Sequence, residues 1–265
     1  MAGQLSTGLL TADILDGDPR RISFAGVEVL RRISYPVRDA SWGTIQTETI
    51  QEVITATQYT RRFRAMSGEF TGEFVLALTS MHAGEASLQA SIVITAATDF
   101  MTNRAGLTLL HPITYVAGSP MVITHPDGRQ TRANFPPLID PRQPALDIAA
   151  IRHVVCGIAV DVHFEGEVFE MEDQRNWSDA SFKTYCRPLS LPRPFAVRKG
   201  ETVSQRVTVS LAQIGPAPRL TEPPAQTGIM PKVLLAADVG VTDLARIGGA
   251  AANGILARID ARRRG

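Results

Sequence analysis

"GEFVLALTSMHAGEASLQASIVITAAT", residues 72–98, contains two long runs rich in β-branched and apolar residues, separated by a short segment with a glycine at 84. Side chains alternate faces along a strand, so Leu88, Ile92 and Ile94 fall on one side of the second run and Ser87, Gln89, Ser91 and Thr95 on the other. Long antiparallel strands with one apolar and one polar face suit a large two-sheet sandwich better than a small barrel. The same pattern extends outward. "LLTADIL", "RRISFAG" and "VEVLRRISYPV" precede it, punctuated by "DGDP" and "AG", and "EVITATQYTRRF" follows them. "MVITHPDGRQTRANF" reads as a hairpin with "PDG" at its tip. Residues 136–151, "PPLIDPRQPALDIAAI", read as a proline-rich connection with a helical turn near "ALDIAA". Strands resume with "VVCGIAVDVHFEG", "VFEMEDQ", "SFKTYCRPL" and "ETVSQRVTVSLAQI". The expectation is a mainly β chain, with an antiparallel β-sandwich over residues 1–214.

Composition changes after that. "GPAPRLTEPPAQTG" (215–228) carries four prolines and reads as a linker. In residues 229–265, "KVLLAADVG" has the continuous apolar character of a buried parallel strand. A helix beginning near Thr242 and ending at Gly254, then a second strand in "ILARIDARRR", complete a β-α-β unit. One such unit needs a larger sheet around it, so this segment is expected to be the incomplete, truncated start of an α/β domain.

The 27 Lys and Arg balance 26 Asp and Glu, so no net field selects nucleic acid or an anionic membrane as partner. The N-terminal segment "MAGQLSTGLLTADILDGD" has no basic region followed by an apolar one, and no run approaches the roughly 18 apolar residues of a membrane span. A cytoplasmic location is expected. Cys156 and Cys186 lack CxxC spacing and read as small apolar strand residues. None of the five histidines has metal-ligand spacing with another, so neither a metal nor a cofactor is expected. Phosphate-loop, dinucleotide-binding, zincin and α/β-hydrolase motifs do not occur.

Chemistry concentrates in "EMEDQRNWSDASFKTYC", residues 170–186. As a strand, it puts Phe169, Met171 and Asp173 on one face and Glu170 and Glu172 on the other, about 7 Å apart at Cα. Partial desolvation of two such carboxylates raises one pKa, which is how a sheet presents an acid beside a base; on an open face the pair is simply solvated. Asp173, Arg175, Asn176, Trp177 and Asp179 form a turn-like group suited either to a sugar, stacked on Trp177 and hydrogen-bonded by the others, or to a structural turn with Trp177 as a core plug. Lys183 and Tyr185 return in period-2 register. His111, ending an apolar run after Asn103 and Arg104, reads as a sheet-mounted acid, base or sugar ligand, or as a satisfied core histidine.

The segments "VEVLRRISYPVRDASWGT" (27–44), "NRAGLTLLHP" (103–112), "HPDG" (125–128), "FPPLIDPRQPALDI" (135–148) and "FEMEDQRNWSDASFKTYCRPLSLP" (169–192) resemble the D-apionate lactonase family. The resemblance implies a cytoplasmic enzyme of sugar-acid catabolism that opens a branched pentonolactone, built as an N-terminal β-sandwich followed by a TIM-like barrel. This chain departs from that pattern by ending after about two barrel strands. The sandwich is also similar at fold level to the galactose-mutarotase supersandwich, in which one sheet face holds a sugar. For lactone hydrolysis the candidate catalytic residues are Glu170 or Glu172 as base and Arg175 or Lys183 facing the oxyanion. Asn103, Arg104, His111, Asp173, Asn176, Trp177, Asp179 and Tyr185 are the candidates for binding a sugar lactone or sugar acid. The alternative is a non-catalytic sugar-binding or structural module.

Apolar residues in 229–265 (Val233, Leu234, Leu235, Ile255, Leu256 and Ile259) expect neighbours on both faces. Self-association or docking through this segment follows. A chain ending near residue 214 should therefore be more soluble and more monomeric than the 265-residue chain, and should still melt cooperatively. Sizing chromatography and thermal melts of both check this, and aggregation of the shorter chain would count against it.

Overall fold

The computed structural model describes residues 3–177 and 179–216, together with the backbone of 234–237 and 254–257. The chain divides into two compact units, Met1–Pro218 and Arg219–Gly265. In the first, an eight-stranded sheet runs in the order β1 (Gly3–Thr7), β2 (Leu10–Leu15), β3 (Asp18–Phe24), β4 (Val27–Ser34), β11 (Thr108–Pro112), β18 (Ser181–Cys186), β17 (Phe169–Asp173), β14 (Ala145–Ile148). A nine-stranded sheet has the order β13 (Gln130–Asn134), β12 (Pro120–Thr124), β15 (Ala150–Val155), β16 (Ile158–Glu165), β20 (Thr202–Gln213), β9 (Glu85–Ala96), β8 (Phe70–Ser80), β7 (Gln58–Ala65), β6 (Thr47–Ile54). A three-stranded sheet, β19 (Phe195–Val197), β10 (Phe100–Ala105) and β5 (Val37–Asp39), completes the unit. Every pairing in these sheets is antiparallel, and the architecture is the expected sandwich.

The opening stretch forms β8 and β9, which pair from Phe70 opposite Ala96 to Ser80 opposite Ala86. Along β9 burial alternates as the sequence does, with Leu88, Ala90, Ile92 and Ile94 buried. Both large sheets contribute to one core. Leu109 and Met171 from the eight-stranded sheet share it with Val160, Val207 and Leu88 from the nine-stranded one. Phe164 and Phe169 meet across it at 4.4 Å between ring centroids.

The helical turn expected near residues 145–150 does not form. These residues are the ends of two strands, β14 and β15, either side of Ala149. Ala145 and Ile148 are buried while Leu146 and Asp147 are exposed. A register shift against β17 between the two buried positions, with Asp147 at φ 51°, gives a three-residue spacing that imitates a helical period. Cys156 lies in the turn after β15 rather than in a strand, and both cysteines are free. In the second unit, β21 (Leu234–Ala237) and β22 (Gly254–Ala257) pair in parallel. The helix expected between them lies outside the described residues. Among the described residues, no helix is long and apolar enough to cross a membrane.

One corner fixes how the small sheet meets the large one. The chain turns from β10 into β11 at Gly106, whose φ of +132° is closed to L side chains. A Cβ there would sit 2.1 Å from Gln205 Oε1. That space is taken because Gln205, buried on β20 of the other sheet, inserts its amide into the corner. Its Oε1 accepts the Leu107 N–H at 2.7 Å, and its Nε2 donates to the Ala105 carbonyl at 3.2 Å. Gln205→Leu removes both bonds and leaves a buried N–H unpaired, at a cost of about 1–3 kcal/mol. Gly106→Ala should be worse, since it adds backbone strain to the collision. Urea melts of the two variants check the order; an unshifted midpoint for Gln205→Leu would show that the corner holds without it.

Candidate functional site

The open face of the eight-stranded sheet carries two cross-strand rows. Arg20, Arg32, Leu110, Lys183 and Glu172 stand opposite one another along β3, β4, β11, β18 and β17. Beside them run Ser34, Thr108, Tyr185 and Glu170. Period-2 alternation on β17 and β18 thus puts Glu172 opposite Lys183 and Glu170 opposite Tyr185. Lys183 Nζ and Glu172 Oε1 form a close ion pair, and Gln174 Nε2 donates to the same oxygen at 2.6 Å. Burial lowers the Lys183 pKa from its ordinary value; Glu172 works against this, while the charges of Arg104 and Arg38 reinforce it. Glu170 is buried. Its Oε1 accepts from the Tyr185 hydroxyl at 2.7 Å and from the Leu189 N–H at 2.9 Å. The Tyr185 pKa is pushed up by burial and by this bond.

Lys183 opens into a cleft of about 440 Å³, lined also by Asp16, Asp18, Arg32, Arg38, Arg61, Arg104, Gln174 and Asp179. Asp18 accepts from Arg32 Nε at 2.7 Å, and burial holds its carboxyl above the usual range despite Arg32. Tyr35 and Tyr59 both donate to the Gly17 carbonyl, at 2.8 and 3.2 Å, fixing the end of the β2–β3 hairpin at the rim. Burial pushes the Tyr35 hydroxyl up to about 12, with Arg61 opposing it. Arg104 is only 7% exposed, with its Cζ 3.8 Å from the Tyr185 ring centroid and 5.4 Å from that of Trp42. The sequence reading missed Asp18, Arg32, Arg38 and Arg61. Arg32 and Ser34 do share the period-2 signal of an open strand face, but nothing local brings them to Lys183.

Asp173, Arg175 and Asn176 are used elsewhere. Asp173 is on the core side of β17, as its alternation with Met171 requires, and binds Arg175 by two bonds of 2.9 and 2.7 Å. Burial works to raise its carboxyl, but Arg175 and the N–H groups of Asp140 and Arg175 override that and hold it below the ordinary value. Arg175 also donates to the carbonyls of Pro136, Pro137 and Leu138, and Asn176 Nδ2 to that of Asp140 at 2.7 Å. Together they fasten the 136–140 segment to the 3-10 turn Gln174–Trp177. Trp177 is 74% exposed, so it is not a core plug. Asn103 donates from Nδ2 to the Asp39 carbonyl at 3.0 Å, next to Arg104 on β10.

His111 points between the sheets, away from the cleft. Its Nε2 shares a hydrogen bond of 2.9 Å with Thr184 Oγ1, while its Nδ1 has no partner among the described residues. His153 from β15 stands 6.1 Å away, ring to ring, with neither nitrogen paired. Burial holds His153 at about 4. Burial and the neighbouring His153 hold His111 at about 3. Among the described residues, no group of three or more His, Cys, Asp or Glu side chains could hold a metal ion.

The family described as D-apionate lactonase, N-terminal domain, matches residues 2–214. A D-apionate lactonase from Brucella anthropi is 40% identical over 213 residues, which are 78% of this chain and 35% of that protein. The chain therefore spans about a third of the length of that curated relative. A putative aldose 1-epimerase from Escherichia coli K12 has a similar structure, with TM-score 0.50, 13% identity and coverage of 80% of this chain and 99% of that one. A GalM/aldose epimerase homologue from C. elegans also matches with TM-score 0.50, at 9% identity over 81% and 100%. At these identities the two structures speak to the fold alone.

The two core histidines carry a pH signature. Their folded pKa values lie below the ordinary 6.5, so below pH 6.5 the unfolded chain takes up protons that the folded one refuses. Their neutral-state stability is fully present above pH 6.5 and is lost as pH falls toward 4. His153→Leu removes one of these groups and two unpaired nitrogens. It should flatten the fall in melting temperature between pH 6.5 and 5, and parallel profiles for variant and wild type would refute this.

Proposed function

The chain belongs to the D-apionate lactonase N-terminal domain family, and from that premise we propose that its cleft binds a sugar-acid lactone of the D-apionolactone type and takes part in opening it. The observation that carries this reading is the Glu172–Lys183 ion pair, set on the open face beside Arg104 at a cleft of sugar size. In hydrolysis the Glu172 carboxylate takes a proton from water as the water oxygen attacks the lactone carbonyl carbon. The carbonyl π electrons move to oxygen, and the Lys183 ammonium faces the oxyanion. When the tetrahedral intermediate collapses, the ring C–O bond breaks and the departing alkoxide takes the proton from Glu172. One water is consumed, and the new carboxylic acid ionises to release one proton. Glu170 is a positioning residue here, since its bonds to Tyr185 and Leu189 set the ring on which Arg104 lies.

A second reading is favoured by the chain's span of 35% of its lactonase relative. On that reading the cleft holds the sugar and the bond is broken by another part of a longer protein. The test is titration of released acid at constant pH with D-apionolactone. Glu172→Gln should cut turnover by about 10²-fold or more with an unchanged thermal melt. Turnover that survives Glu172→Gln removes it as the base. Binding without turnover by the wild-type chain supports the module.

A further inference from the structure

Resting on the assignment of the cleft to a sugar, we propose that it contains a preformed carboxylate subsite, built by Arg104 and Arg38. Its preferred ligand is then an ionised sugar acid rather than a neutral sugar or lactone. The two arginines are directly opposite one another on β10 and β5. Like charges at opposed positions repel, and among the described residues neither guanidinium has a carboxylate partner. The carboxylates that could relieve them are engaged elsewhere: Asp18 with Arg32, Glu172 with Lys183, and Asp39 Oδ1 with the N–H groups of Ser41 and Gly43.

Arg104 is built as a receptor. It is more than nine-tenths buried, with its guanidinium against the Tyr185 ring and its Nε without a partner. Tyr185 is in turn fixed by Glu170. Aromatic stacking orients a guanidinium without consuming its in-plane donors, the arrangement that accepts a carboxylate through two parallel bonds. Arg38 is anchored through Nη1 to Thr44 Oγ1 and the Trp42 carbonyl. Trp42 is held at φ +70° within the turn stapled by Asp39, and its ring centroid lies 5.4 Å from the Arg104 Cζ. A neutral lactone leaves this pair unanswered; the acid that forms when the ring opens does not. Product retention follows.

Calorimetry on the full chain tests this with four probes: D-apionate, its neutral amide, a lactone carrying a second carboxylate, and inorganic phosphate. D-apionate should bind at least about 10-fold more tightly than the amide, a preference that salt erodes. Tight binding of the acid lactone as well would show that any sugar carboxylate is accepted. Arg38→Gln, a half-buried position, should erase the preference by costing D-apionate about 10-fold more affinity than it costs the amide, and Arg104→Lys should weaken D-apionate despite keeping the charge. Equal affinity for acid and amide, equal losses for both in Arg38→Gln, or phosphate binding as tightly as D-apionate would each overturn the subsite. Lactone turnover without acid preference overturns the subsite alone, whereas neither turnover nor binding of any sugar overturns the reading beneath it.

Discussion

The buried amide of Gln205 is the contact on which the rest of the molecule depends. It crosses from one large sheet into the Gly106 corner and satisfies the Leu107 N–H and the Ala105 carbonyl. With the Gly106 N–H bond to the Pro36 carbonyl and the Cys186 N–H bond to the Leu107 carbonyl, it holds the angle at which β10 and β11 meet. That angle matters because β10 carries Arg104 in the small sheet, whereas β11 carries Leu110 in the row between Arg32 and Lys183. A core hydrogen bond on the far side of the corner therefore sets the separation of charges on the open face. Buried polar contacts that are fully satisfied specify a unique arrangement in this way, while apolar packing alone tolerates sliding.

Much of this was legible in the sequence. Strand alternation alone puts Glu170 and Glu172 on the face away from Phe169 and Met171, and it returns Lys183 and Tyr185 to the same side. Cross-strand pairing then follows from the short connection between β17 and β18. What stayed hidden depends on partners distant in sequence. Arg38 and Arg104 become neighbours only because β5 and β10 pair, and no local spacing announces that. Arg175 attracted a catalytic reading because guanidinium chemistry is visible in sequence, whereas the carbonyls of Pro136, Pro137 and Leu138 that occupy it are not. The apparent helical spacing at Ala145 and Ile148 came from a bulge, which preserves burial while breaking the period of two.

The two faces of β17 and β18 divide the labour sharply. On the inner face, His111 meets Thr184 and Phe182 packs on Phe135, in surroundings that suppress charge. On the outer face, Lys183 pairs with Glu172 and both remain half-buried, while Glu170 is buried against Tyr185. Burial works against ionisation on both sides of the sheet, and on the outer side opposite charges stand close enough to oppose that effect.

The fastening of residues 136–140 has a consequence for how such a protein can change. Arg175 and Asn176 hold this segment by its main-chain carbonyls, groups that every amino acid supplies. Leu138 and Ile139 stand 80% and 58% exposed on it, beside the turn that carries Trp177. Their side chains take no part in keeping the loop's shape. Sequence drift at these two positions can therefore rewrite the surface without disturbing the frame, as a socket keeps its form whatever is plugged into it.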